Sequence, residues 1–205
     1  MRTASLSLPA CAARRSGRQK AAAHPSREPM YPVVRLGIEL ALAARAPRLP
    51  VDGVHVSRHT CWPWDIDPWM ELNNGRTLTL YDLGRVPLAA RTGLVKAVRA
   101  NGWGLAVAGT SIRYRRRVRA FDRITMRSAL VGHDARFLYV HQTMLRDGEP
   151  VSSALIRSAV SSPDGIVPPD RVLAAMGAAG WQRPLPDWIA AWTEAEAKRP
   201  WPPAI

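Results

Sequence analysis

The sequence predicts an α+β domain in which one long helix lies against a single curved antiparallel sheet, with helical appendages at both ends. Three observations carry this. Asn73-Asn74-Gly75 opens a helical stretch that runs, with one proline, to about Ala100 and closes on Asn101-Gly102. From Gly104 to Ser162 the apolar period changes to two. Within that region Asp147-Gly148 is a tight-hairpin signal, so neighbouring strands should run antiparallel.

The elements follow in order. Residues 1–29 carry six basic residues against one acid and show no periodicity. They read as a disordered or targeting-like tail, and the favoured reading is an over-extended start with Met30 as the first residue. Met30–Ala46 reads as an amphipathic helix with Val33, Leu36, Leu40 and Ala44 on its core side; Pro47 and Pro50 end it. Residues 30–52 are thus a helix and linker, and the main domain is expected over 53–177. Val54–Trp64 reads as a strand, with His55, Ser57, His59 and Cys61 sharing one face. The helix after it spans Gly75–Val86, with Leu80, Leu83 and Gly84 inward. Pro87 is expected to end or kink it before a second piece. Small Gly84 suits close approach of the sheet.

Four strands are read near 105–118, 122–133, 136–146 and 150–162, arranged as a meander. The third alternates Leu138, Val140, Gln142, Met144 against Tyr139, His141, Thr143. A short helix over Asp170–Met176 ends at Gly177. Residues 178–205 form a Pro- and Trp-rich extension, with a docking helix over Asp187–Ala197.

Composition removes several functions. Cys11 and Cys61 are too far apart and too unlike in setting to imply a disulfide framework, so a reducing, cytoplasmic setting is expected. No apolar run reaches the roughly 18–20 residues that span a bilayer. His55 and His59 lack further nearby ligands, which argues against zinc, and no phosphate-cradling glycine motif or nucleophile elbow occurs. The net charge of +13 favours anionic partners. The run Arg113, Arg115, Arg116, Arg117, Arg119 suits phosphate oxygens, but Tyr114 and Phe121 alone make no base-stacking platform, so nucleic acid is not expected. Cys61 should be a buried, inert thiol, and Asp82 and Arg85 an ion pair along a helix.

The segment Asp65–Arg85 holds the chemistry. Two carboxylates lie at a strand end, just before a helix N-terminus whose amides lack helical partners. Such a corner can polarise a carbonyl and direct water at it. Residues Asp65, Asp67, Asn73, Asn74, Gly75, Arg76, Asp82 and Arg85, with Arg91-Thr92-Gly93-Leu94, Ser111-Ile112-Arg113-Tyr114 and Asp147-Gly148-Glu149, carry a resemblance. Residues 53–177 resemble the acyl-CoA thioesterase branch of the hot-dog superfamily, in particular the 4-hydroxybenzoyl-CoA thioesterase-like group.

The resemblance implies a hot-dog fold and hydrolysis of a fatty-acyl or aryl thioester of coenzyme A, with coenzyme A entering as part of the substrate and no separate cofactor. It implies Asp67 as nucleophile or base, Gly75 and its neighbours at the oxyanion site, and a homodimer or dimer of dimers. Where many relatives carry His before Asn-Asn, this chain has Glu71, which could serve as a second base. The expected catalytic residues are Asp67, Glu71 and Asn73; the expected substrate-binding residues are Asn74, Gly75, Arg76, Arg115 and Arg117. A non-catalytic acyl-CoA or lipid-binding protein of the same fold is the alternative. A dehydratase ranks last, because no His lies between His59 and His133.

Overall fold

The computed structural model describes residues 32–200 and 202–203. The tail 1–29 and the first two residues of the expected N-terminal helix lie outside the described residues. The elements are α1 (Val33–Arg45), β1 (His55–Thr60), α2 (Asn74–Arg91), α3 (Leu94–Ala100), β2 (Gly104–Tyr114), β3 (Arg123–His133), β4 (Leu138–Arg146), β5 (Glu149–Ser162), β6 (Gly165–Ile166), α4 (Pro169–Ala175) and α5 (Asp187–Ala197). All strand pairings are antiparallel, in the order β1-β3-β4-β5-β2, with β6 paired to β5.

The long helix lies on one face of this sheet. Strands β3, β4 and β5 form the expected meander, and Asp147 (φ 51°) and Gly148 (φ 83°) make the two-residue turn between β4 and β5. The meander stops there. Strand β2 pairs with β5 rather than β3, and β1 takes the place beside β3. Register shifts in β2, β3 and β5 add the local twist that curves a sheet.

The period-two pattern sorts the side chains between two cores. From β4, Leu138, Val140 and Met144 face α2, joined by Leu80, Leu83, Ile124, Met126 and Ile156. Tyr139 points to the other face, where Leu155 and Ile189 of α5 enclose it. Gln142 lies buried on the α2 side. Its Nε2 donates to the Tyr81 carbonyl and to Ser128 Oγ, both at 2.8 Å, which ties the helix to the sheet.

Helix α2 runs through Pro87 to Arg91, so of the end or kink expected there, the end does not occur. An interior proline costs about 3 kcal/mol. Each fully buried leucine contributes roughly 1.5–3 kcal/mol, and Leu83 and Leu88 flank the proline in the core. Burial therefore outweighs the lost bond. At Gly84 the helix touches the sheet: a Cβ there would sit 2.7 Å from both Met126 Sδ and Ser128 Oγ. Gly84→Ala is expected to destabilise the fold by about 1–3 kcal/mol through overpacking, read as a lower urea midpoint. An unchanged midpoint would show that the sheet yields freely.

Helix α1 is rotated relative to its expected stripe. Val33 and Ala44 are exposed, and Arg35, Leu36, Glu39, Leu40 and Ala43 face inward. The cause is polar: Arg35 Nη1 donates to Asp65 Oδ2 at 2.9 Å, and Glu39 Oε1 lies 3.5 Å from His59 Nδ1. Strand β1 is shorter than expected and turns its polar face in, with His55, Ser57 and His59 buried and Val56 and Arg58 outside.

Burial lowers both histidines to about 4, helped by Arg91 beside His55 and by Arg35 beside His59. The unfolded chain therefore binds their protons more readily than the folded one. Their contribution to stability is complete above about pH 6.5 and is lost as the pH falls towards 4. The expected loss is on the order of 1 kcal/mol per pH unit for each histidine. Urea unfolding at pH 7.5 and pH 5 tests this; equal midpoints would rule out histidine-linked acid sensitivity.

Candidate functional site

The site begins where β1 ends. A short 3-10 turn over Pro63–Asp65 redirects the chain, and Ile66 bridges Leu72, so residues 67–71 are the tip of a small hairpin loop. The two acids of Asp-x-Asp separate here. Asp65 is fully buried. Its Oδ2 accepts from Trp62 N–H and from Arg35; its Oδ1 accepts from Arg76 Nε at 3.1 Å and Nη2 at 2.9 Å. Its carbonyl accepts from the Asn73 N–H at 2.9 Å. Asp65 thus fastens strand end, N-terminal helix and the start of α2 together. Arg76 is paired with Asp65 and does not line the cleft described below.

Asp67 has a different setting. Its Oδ1 accepts from the Trp69 N–H at 2.9 Å and the Glu71 N–H at 3.3 Å, which holds the loop tip, while Oδ2 has no hydrogen-bond partner among the described residues. The side chain lines a cleft of about 620 Å³. Trp69, Glu71 and Leu72 come from the same loop, Asn74 and Thr77 from the start of α2, Tyr114–Val118 from the end of β2 and beyond, and Ser152 from β5. The Leu72 N–H donates to the Val118 carbonyl at 2.8 Å and joins the two loops. Tyr81 Oη and Ser152 Oγ lie 2.8 Å apart below.

The helix start differs from expectation. Asn73 caps α2: its Oδ1 accepts from Gly75 N–H at 2.8 Å and Arg76 N–H at 3.2 Å. The Gly75 amide is therefore occupied, the Asn73 side chain is spent on capping, and neither residue lines the cleft. Thr77 N–H bonds the Asn73 carbonyl at 2.8 Å. Of the first four amides of α2, only that of Asn74 has no acceptor among the described residues, and Asn74 lines the cleft. Of the expected site residues, then, Asp67, Glu71, Asn74, Arg115 and Arg117 meet in one cleft, and Asn73, Gly75 and Arg76 support it from behind.

Glu71 Oε2 lies 3.4 Å from Arg117 Nε on the exposed cleft wall. Arg116 pairs at 3.5 Å with Glu149. Thr77, Tyr114 and Ser152 were not singled out by the sequence as site residues. Tyr114 stands next to the arginine run, whereas Ser152 has no local signal, because the pairing of β5 with β2 brings it there. Cys61 is fully buried, and its thiol is pushed up to about 12 by burial, with Asp65 and Asp122 adding to the effect. No group of three or more metal-ligating side chains occurs among the described residues, and no described helix is long and apolar enough to cross a membrane.

Comparison with known proteins places this geometry. The model of a family described as the thioesterase-like superfamily matches residues 61–192. Protein THEM6 of Xenopus laevis is 32% identical over 109 residues, 51% of this chain and 53% of that protein. Protein THEM6 of Drosophila melanogaster is 27% identical over 107 residues, 52% and 53% of the two chains. The chain spans about half the length of the curated relatives it matches. Among solved structures, the probable thioesterase YbaW of Escherichia coli superposes with a TM-score of 0.56 at 17% identity, over 60% of this chain and 96% of its own. A 1,4-dihydroxy-2-naphthoyl-CoA thioesterase from Synechocystis superposes at 0.53 with 12% identity, over 61% and 96%. At these identities the likeness is one of fold, the hot-dog fold.

Proposed function

The chain belongs to the thioesterase-like superfamily, and from that footing we propose that it hydrolyses a fatty-acyl or aryl thioester of coenzyme A in the cleft beside Asp67. The observation that carries the reading is a pair of unspent groups: Asp67 Oδ2 and the Asn74 amide have no hydrogen-bond partner among the described residues, and both residues line the cleft. Asp67 takes a proton from water at Oδ2, and the water oxygen bonds to the thioester carbon. The carbonyl electrons move onto oxygen, which the Asn74 N–H and the positive end of α2 stabilise. As the carbonyl re-forms, the carbon–sulfur bond breaks and coenzyme A leaves as the thiolate. Direct attack by Asp67 is the variant route. Unlabelled oxygen in the first product of a single turnover in ¹⁸O water identifies direct attack followed by cleavage of the anhydride at the Asp67 carboxyl carbon.

Arg115 and Arg117 supply cations on the cleft wall, suited to the phosphates of coenzyme A. A homodimer fits the same reading. Strand β2 is a sheet edge, exposed over much of its length, and Leu105 and Val107 stand out from it.

Release of free thiol from short-chain, long-chain and aryl acyl-CoA thioesters tests the proposal. Turnover above the uncatalysed rate with at least one class is expected. A second reading, a non-catalytic acyl-CoA binder, draws on Glu71, whose carboxylate can only accept hydrogen bonds where a His could donate. Calorimetric binding with no turnover selects it; neither binding nor turnover rejects both.

A further inference from the structure

Two loops beside the cleft hold large apolar side chains out in water. Trp69 is 77% exposed and Met70 70%, at the tip of the 67–71 loop. Phe121 is 64% exposed, on the segment between β2 and β3. Trp62 and Trp64 complete the group: their rings stack at 5.3 Å, and Phe121 meets Trp62 edge-on at 6.3 Å. The loops are joined, since the Phe121 N–H donates to the Cys61 carbonyl. With the Leu72–Val118 bond, this ties the segments that carry the five side chains to one another.

It is also held against local preference. Met70 and Phe121 have φ of 61° and 69°, two of three non-glycine residues described with positive φ. Bulky side chains rarely adopt that conformation, and such strain persists only where the surrounding structure imposes it. Here the surroundings impose a backbone that turns apolar groups outward.

The segment that carries Phe121 also carries cations. Arg115 and Arg119 lead to Phe121 and have no carboxylate partner among the described residues, whereas Asp122 is paired with Arg146 at 2.9 Å. Exposed tryptophan beside unpaired arginine is the composition that settles at the headgroup level of a bilayer carrying negative charge. Single-stranded nucleic acid fits less well, because the Trp62 and Trp64 faces already stack on each other.

We infer that Trp62, Trp64, Trp69, Met70 and Phe121, with Arg115 and Arg119, form a docking surface for an anionic phospholipid bilayer, which the protein meets without spanning it. The inference stands apart from the hydrolase reading. Where both hold, Trp69, which also lines the cleft, brings the cleft mouth to the lipid interface.

The test uses the full chain and extruded vesicles, in flotation at low and high salt, with no acyl-CoA present. Binding is expected to vesicles of phosphatidylcholine with 30% phosphatidylserine, to weaken at least several-fold in pure phosphatidylcholine or at high salt, and to quench tryptophan fluorescence when brominated lipids are included. Trp64→Ser combined with Phe121→Gly should lower partitioning at least tenfold and abolish the quenching. Phe121→Gly removes the left-handed strain, so the melting temperature of that single variant should not fall. Met70→Gly provides a second variant of the same kind. Absence of binding, or binding unchanged by these variants, overturns the inference. So does a wild-type dimer that the variants convert to monomer with no vesicle binding, because the patch then serves a second copy of the chain.

Discussion

Asp67→Asn is expected to slow thioester hydrolysis by about 10²–10⁴-fold, the usual contribution of a positioned acid–base group, while acyl-CoA binding stays nearly unchanged. The substitution suits this site because it separates the two carboxylate oxygens. An asparagine oxygen still accepts from the Trp69 and Glu71 amides, so the loop tip keeps its shape. Only the free Oδ2 is replaced by a group that cannot take a proton. Alanine would remove both functions and could not tell them apart. Stopped-flow thiol release with wild type and variant is the measurement. Equal rates would remove Asp67 from the chemistry.

Asp65→Ala is expected to act on stability instead, by about 3–5 kcal/mol, as for a buried ion pair that loses one partner. The carboxylate is fully buried between Arg35 and Arg76, whose side chains are only 19% and 17% exposed. Without it two guanidinium groups face each other, and the Trp62 amide loses its acceptor. Urea denaturation reads the effect. A loss below about 1 kcal/mol would mean that water screens the pairs as it does at a surface. The two aspartates, two positions apart, should thus fail in opposite ways, one in rate and one in folding.

That contrast marks how far the residues could be read before folding. The alternation in β3 and β4, the Asp147-Gly148 turn and the α5 segment were legible because each is a local pattern with one physical solution. Asp65 and Asp67 were legible as a pair but not as individuals, because one of the two arginines that claim Asp65 lies 30 residues earlier on α1. The same partner turned α1: its apolar period favoured Val33 and Ala44 inside, and the needs of Asp65 and His59 brought Arg35 and Glu39 there instead. At the start of α2 either asparagine could have been the cap. The choice of Asn73 occupies the Gly75 amide and shifts the free donor to Asn74. Pro87 misled because a local rule priced the lost hydrogen bond without the tertiary burial around it.

The strand order has a consequence during synthesis. Strand β2 ends at Tyr114, and its partner β5 starts only at Glu149. At about 5–20 residues per second, the intervening stretch takes the ribosome roughly 2–7 s. For that time the nascent chain carries a strand that bears Leu105 and Val107 and has no partner to zip to. Chaperone demand should therefore peak late in translation, and truncations that stop short of β5 should aggregate rather than yield a smaller soluble unit.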